Sequence, residues 1–367
     1  MGWQIVYSEP GIDQIKSIYE SRGWTFQEKQ LSKRCLYFDG WSCTYSCRTV
    51  PEAVQTPHSR YSDRINPLRH SKAEDCIGWD VYCRTVAEYT QRVFSFPTDR
   101  LNAFRGILSV WEENYTLGFV FGIPTAVFDQ ALLWRAKQGV DLIRNKSLPS
   151  WCWTGWIGGC DYSFYKFHSS GEKKVQRLFE IVALPSSESA VSPSSSPLGS
   201  GSCSLKQECL DQTRQACALE ENQTNLTTLY IRAVVVNASQ FTQTEIFPPL
   251  NSPQERRWGV CRIPSEIIGL LSYCSCNDAS GGALPADTSL IVLSQFVDSI
   301  ENETEKSIMQ CPPSDLKRPE TPSEVNIMLI RWQVGGYAER IAVGTMFPSF
   351  WRFWRELERE IKVVELR

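Results

Sequence analysis

Histidine is scarce in this chain. The three that occur, His58, His70 and His168, have no second histidine or cysteine pair at a ligand's spacing, which excludes the common zinc arrangements and predicts no metal site. Among the fourteen cysteines there is no CxxC pair; the closest approaches, Cys43 to Cys47 and Cys274 to Cys276, leave scattered small hydrophobes read as free thiols. No excess of positive charge exists either. Lys and Arg number 38 against 41 Asp and Glu, for a formal charge of −3, and without a concentrated basic face a general nucleic-acid binder is excluded. No apolar run reaches the roughly 18 residues of a membrane span. The longest, Leu117 to Trp134, is interrupted by Pro124, Asp129 and Gln130.

The start, MGWQIVYSEPG, lacks the basic and apolar regions of a secretory leader, and Val6 stands where a myristoylation signal needs Ser or Thr. This reading assigns the chain to the cytoplasm. There the sequons at Asn114, Asn145, Asn222, Asn225, Asn237 and Asn302 are chance. Also missing are GxxxxGK[ST], GxGxxG after a strand, GxSxG and HExxH, which removes the common signatures of nucleotide, hydrolase and metalloprotease chemistry. His168, in YKFHSSG, is read as a structural histidine.

What is present is aromatic: 13 Trp, 13 Tyr and 17 Phe, a content suited to a packed core in a chain long enough for two or three domains. Apolar residues three or four apart predict helices over Ile12–Ser21, Thr25–Ser32, Asp80–Phe94, Thr98–Asn114 and Pro124–Lys137. Residues 185–202, PSSESAVSPSSSPLGSGS, cannot repay ordering by burial, and a flexible insertion is expected over 185–228. Beyond it, β-branched runs predict strands at Leu229–Val236, Arg257–Ile263, Leu290–Phe296, Asn326–Gln333 and Ala338–Met346, the last two joined by a hairpin at Gly335-Gly336.

A final amphipathic helix, Phe350 to Leu366, is read from Phe350, Phe353, Trp354, Leu357, Ile361 and Val364, with Ser349 as N-cap and Arg352–Glu356 and Glu358–Lys362 as pairs on its wet face. The expected class is therefore α+β: a helical N-terminal half packed with a mainly antiparallel β-rich C-terminal region that ends in that helix.

Few residues carry candidate chemistry. Thr25-x-x-Glu28 reads as a capping box, with Arg34 close enough to satisfy the Glu28 carboxylate and Trp24 at the helix start. Glu28 is also the one candidate for acid/base or glycosidic chemistry, although no partner or pocket accompanies it. Asp99, after the N-cap Thr98, suits a helix dipole. In LPSWCWTGWIGG, 148–159, alternation puts Trp151 and Trp153 on one face of a strand, and core packing is preferred to base stacking because no basic groove accompanies them.

Four segments form an ordered set: SRGWTFQEKQLSKRCLYF at 21–38, VAEYTQRVFSFPTDRLNAFRGI at 86–107, LLW with PSWCWTGWIGG between 132 and 159, and AERIAVG at 338–344. Together they resemble the fungal heterokaryon-incompatibility (HET) domain proteins. The first, with Arg22, Gly23, Trp24, Thr25, Gln27, Glu28, Leu31, Ser32 and Arg34, is similar to the segment that closes the HET domain, and the others to the region that follows it. Segments of the SYxWG and CIxQ kind, which would stand upstream, are not found before Ile18.

The resemblance divides the chain into the end of a HET-like domain at 1–38, a following helical and Trp-rich region at 39–184, the insertion at 185–228 and a β-rich region with its C-terminal helix at 229–367. It implies the C-terminal portion of a protein of fungal self/non-self recognition and regulated cell death, with protein partners, no cofactor and no enzymatic activity. The alternatives are a Toll/interleukin-receptor-like NAD hydrolase, with NAD as cofactor and Glu28 near its site, or a truncated, inactive product.

Overall fold

The computed structural model describes residues 21–39, 42–47, 79–115, 118–162, 174–185, 227–246, 257–263, 266–279, 281–297 and 323–367. The expected helix at Ile12–Ser21, most of the 185–228 insertion and all three histidines lie outside the described residues, apart from a few positions at the edges of these segments.

The fold is α+β and mostly β. Three of the helices follow their periodicity: α1 (Gly23–Leu31), α2 (Trp79–Tyr89) and α3 (Asp99–Tyr115). The helix expected over Pro124–Lys137 shrinks to the single turn α4 (Phe128–Ala131), because Ile123–Pro124 pairs back with Phe119–Val120 around the positive-φ turn Phe121-Gly122 and Arg135–Ala136 is drawn into a strand pair. From there to Asp161 it runs as two-residue strand pairs, Arg135–Ala136 with Cys160–Asp161 and Ile143–Arg144 with Trp156–Ile157. The helical N-terminal half expected from the sequence is therefore not found: among the described residues its helices are separate pieces, with the strand pair Arg34–Asp39 and Ser42–Cys47 between the first two and irregular, Trp-rich chain after residue 115.

Strands β1 (Arg34–Asp39) and β2 (Ser42–Cys47) form a separate antiparallel pair. Apart from the two-residue pairs, the remaining strands build one sheet of eleven. In chain order these are β3 (Lys174–Arg177), β4 (Glu180–Ala183), β5 (Leu229–Asn237), β6 (Thr242–Ile246), β7 (Arg257–Ile263), β8 (Glu266–Tyr273), β9 (Gly282–Ala283), β10 (Thr288–Val297), β11 (Val325–Trp332), β12 (Ala338–Met346) and β13 (Arg359–Leu366).

They lie in the order β4-β5-β10-β11-β12-β8-β7-β6-β9, with β3 added to β10 and β13 added to β5. Every pairing is antiparallel except one parallel bridge, Ala338↔Leu366, by which β13 meets β12 and closes a five-strand ring. Strands β3 and β4 pair with β10 and β5, so residues ahead of the 185–228 segment belong to the same sheet as those after it.

Each central strand is buried on both faces, which is why its sequence is almost continuously apolar, as in VNIMLI of β11. One face carries Ile231, Val235, Ile291, Leu293, Met328 and Val364 into a core shared with the helices and the tryptophan loops. The other carries Val236, Val292, Ile327 and Leu329 against Phe241, Ile268, Trp351 and Trp354. The β11–β12 hairpin closes where expected: Gln333 N–H donates to Tyr337 O at 2.8 Å, and Gly335 and Gly336 sit at φ 115° and 84°.

The C-terminal helix is not formed. Pro348–Arg352 is a short 3-10 turn, capped at Phe347 rather than Ser349, and Arg359–Leu366 is strand β13. Its expected pairs fall with it: Arg352 bonds Glu266 on β8, and Lys362 bonds Glu360 at 2.6 Å. Phe350, Trp354 and Leu357 are buried as expected, but through a compact turn. What decides the strand is β5, whose eight-residue register with β13 supplies a hydrogen-bonding partner that the local pattern cannot reveal.

Candidate functional site

The motif that opens the described chain folds into a docking device. Arg22 is extended and pairs with Val93: Gly23 N–H donates to Val93 O at 3.0 Å, and Val93 N–H to Ser21 O at 2.7 Å. Gly23 is required here because a Cβ would lie 1.9 Å from the Phe94 ring. Helix α1 then begins. Phe26 is fully buried against Tyr89, with the Arg92 guanidinium 4.7 Å from its ring centre, and Gln27 Oε1 accepts the Gly106 N–H of α3 at 3.3 Å.

The capping box is not formed. Because the helix starts at Gly23, Thr25 lies within its first turn and donates its hydroxyl back to Arg22 O at 2.8 Å. Glu28 is exposed, and its main-chain carbonyl instead accepts the N–H and hydroxyl of Ser32 at the helix's other end, at 3.0 and 2.7 Å. Arg34 is exposed at the start of β1, and among the described residues it shares no ion pair with Glu28. The expected Trp24–Glu28–Arg34 constellation is therefore replaced by another. Trp24 reaches Asp99 at the start of α3, its indole N–H donating to Oδ2 at 3.3 Å.

Around that bond lies an exposed apolar patch. Trp24 is 42% exposed, Val93 68% and Phe96 67%. The main-chain bonds Gly23 to Val93 and Asp99 to Phe96 tie the three to one rigid junction of α1, α3 and the segment between α2 and α3. Sequence reasoning found Trp24 and Asp99 but missed Val93 and Phe96. The available signal was their place in VFSFPTD, apolar residues between Gln91-Arg92 and a helix start, with no periodic partner.

Trp151 and Trp153 lie elsewhere, inside the core. They do not share a strand face: Trp151 is in a turn, and Trp153 opens the 3-10 turn Trp153–Gly155. Both are fully buried. Trp153 donates its indole N–H to Tyr82 Oη at 3.1 Å, Tyr82 donates to Gly122 O at 2.8 Å, and Tyr162 donates to Ala131 O at 3.1 Å. Burial pushes both phenols well above the ordinary tyrosine range, so they hold this network as neutral donors.

Three arginines fasten the tryptophan loops. Arg144 donates to the carbonyls of Leu148 and Gly155 at 2.7 and 2.9 Å, and Arg100 to those of Thr90 and Gly158 at 3.1 and 2.7 Å. Arg340 on β12 is fully buried and donates to Leu132 O at 2.5 Å and to Trp134 O. Its signal in the sequence is a cation next to Glu339 at the head of the apolar run of AERIAVG.

The buried thiols are no more reactive than the phenols. Burial pushes Cys152 and Cys274 up to about 11 and Cys160 up to about 12, and it raises Cys83 and Cys261 as well. At neutral pH these sulfurs are protonated and not nucleophilic. Among the described residues no group of His, Cys, Asp and Glu is gathered to hold a metal ion, and no helix is long and apolar enough to cross a membrane. No protein-family model, curated protein or solved structure matches the chain.

Proposed function

We propose that this chain is a portion of a HET-type protein and serves as an interaction or regulatory module, without enzymatic activity of its own, in fungal self/non-self recognition and regulated cell death. The observation that carries this reading is the Trp24, Val93 and Phe96 patch, apolar side chains held outward on a junction whose main chain is fixed. An exposed aromatic on a rigid support suits capture of a protein partner, since little side-chain freedom is lost on binding. The family-like segments support it further: all four meet in one core, where Phe26, Tyr89, Trp151 and Val343 are buried. The free thiols found among the described residues, Cys35, Cys83, Cys152, Cys160, Cys261 and Cys274, suit the cytoplasm.

Inducible expression of the full chain in a filamentous fungus tests the proposal, with growth arrest and vital-dye uptake as the readouts. Expected are arrest with the wild-type chain, its loss in Trp24→Ala/Phe96→Ser, and its retention in Glu28→Ala. Nicotinamide release from NAD by the purified protein, abolished by Glu28→Ala, would replace this reading with the hydrolase one.

A further inference from the structure

Strand β13 has one satisfied edge and one open edge. Along its inner edge all eight residues, Arg359 to Leu366, are in register with β5. Two bonds fix which main-chain groups point where. Glu358 O accepts Asn237 N–H on the β5 side, whereas Arg367 N–H donates to Ala338 O on the β12 side. Even-numbered residues therefore direct their main-chain groups toward β5 and odd-numbered ones away from it. Strand β12 meets β13 at Leu366 alone. Among the described residues, this leaves the outward N–H and C=O groups of Arg359, Ile361 and Val363 without a ladder partner.

The side chains along this edge mix exposed aliphatics with charges of both signs. Ile361 and Val363 are 43% and 50% exposed on one face. On the other face Glu360 and Lys362 alternate in sign and sit 2.6 Å apart. Arg359 is turned away, donating to Trp354 O and Leu357 O with its guanidinium 4.6 Å from the Trp354 ring centre. An open edge with exposed aliphatics is a template for another strand, and the charges beside it decide which strand is accepted.

We propose that this edge pairs with the same edge of a second copy of the chain, antiparallel and two-fold symmetric about Ile361. In that register Ile361 faces Ile361, Arg359 faces Val363, and Glu360 of each copy faces Lys362 of the other, so opposite charges meet twice. The neighbouring registers are disfavoured. Centring on Lys362 sets that cation against itself, and centring on Val363 runs the incoming strand into the place β12 occupies at Leu366. Alternating charge thus rejects strands of other sequence and accepts this one. The interface is isologous, as a closed dimer requires.

Sedimentation equilibrium of the full chain over a concentration series tests this. Dimers are expected for the wild type. Lys362→Glu alone and Glu360→Lys alone each set like charges opposite at both symmetric positions, and each is expected to weaken dimerisation about tenfold or more. An equimolar mixture of the two variants is expected to regain dimers, since one edge then carries two anions and the other two cations. Glu360 is exposed, whereas Lys362 is half-buried with its Nζ 4.3 Å from the Trp332 ring centre, and the near-ultraviolet circular dichroism of each variant checks that its core is intact. A wild type that stays monomeric at every concentration, or dimers that neither variant weakens, would overturn the proposal.

Discussion

Arg340 and Trp134, 206 residues apart, are stacked, with the guanidinium carbon 3.7 Å from the ring centre, and the same guanidinium donates to the Trp134 carbonyl. A strand of the sheet and a loop of the tryptophan region are thereby joined by one buried cation. Among the described residues no carboxylate pairs with it; main-chain carbonyls and a ring face balance it instead.

Removing that fork leaves two carbonyls buried and unpaired. Arg340→Met is expected to cost about 3 kcal/mol, and Arg340→Lys about 2 kcal/mol, because an ammonium cannot span both acceptors and stack as well. Denaturant midpoints measure both. A lysine variant as stable as the wild type would show that charge alone suffices.

Two glycines separate yielding from unyielding neighbours. A Cβ on Gly155 would lie 1.9 Å from the Pro149 carbonyl oxygen, which is main chain, whereas on Gly23 it would meet the Phe94 ring. Gly155→Ala is expected to cost more than about 2 kcal/mol, whatever its surroundings. Gly23→Ala is expected to be partly rescued by Phe94→Ala, because the obstructing group is then gone. Thermal melts of the singles and the double decide it.

The helix cap predicts an asymmetry at α1. Glu28 is exposed and its side chain caps nothing, so Glu28→Gln is expected to change stability by less than about 0.5 kcal/mol. Trp24→Phe, which keeps the ring but loses the donor to Asp99, is expected to cost about 0.5–1 kcal/mol. A Glu28→Gln loss that exceeds the Trp24→Phe loss would restore the capping box.

Alkaline pH is expected to unfold the protein steeply. Cys152, Cys274 and Cys160 are held neutral by burial, up to about 11, 11 and 12, while unfolded thiols ionise near about 8.5. The unfolded chain therefore loses these protons first. Their contribution to stability is complete below pH of about 8.5 and falls by about 1.4 kcal/mol per thiol per pH unit until the folded values are reached. Melting temperatures measured from pH 8 upward follow this, and a flat profile between about 9 and 10 would contradict it. In the native state at pH 8 the same three cysteines are expected to resist iodoacetamide until denaturant is added.

By itself the sequence determined the elements whose partner face is already written into their spacing. The periodicity of α2 and α3, the β-branched runs of β5, β7 and β10 to β12, and the Gly335-Gly336 turn are local signals, set by side-chain period and backbone freedom. It also showed that Trp151 and Trp153 belong in the core, though not their geometry. Tertiary structure decided the rest. Helical spacing from Phe350 to Val364 gave way to a turn and a strand because β5 offered hydrogen bonds along eight residues. The capping box gave way because Arg22 is drawn into a bridge with Val93, which moves the helix start two residues ahead of Thr25. Trp24 was legible as a motif residue, but its bond to Asp99 and its place beside Val93 and Phe96 arise from contacts some 70 residues apart in the chain, which no local spacing encodes.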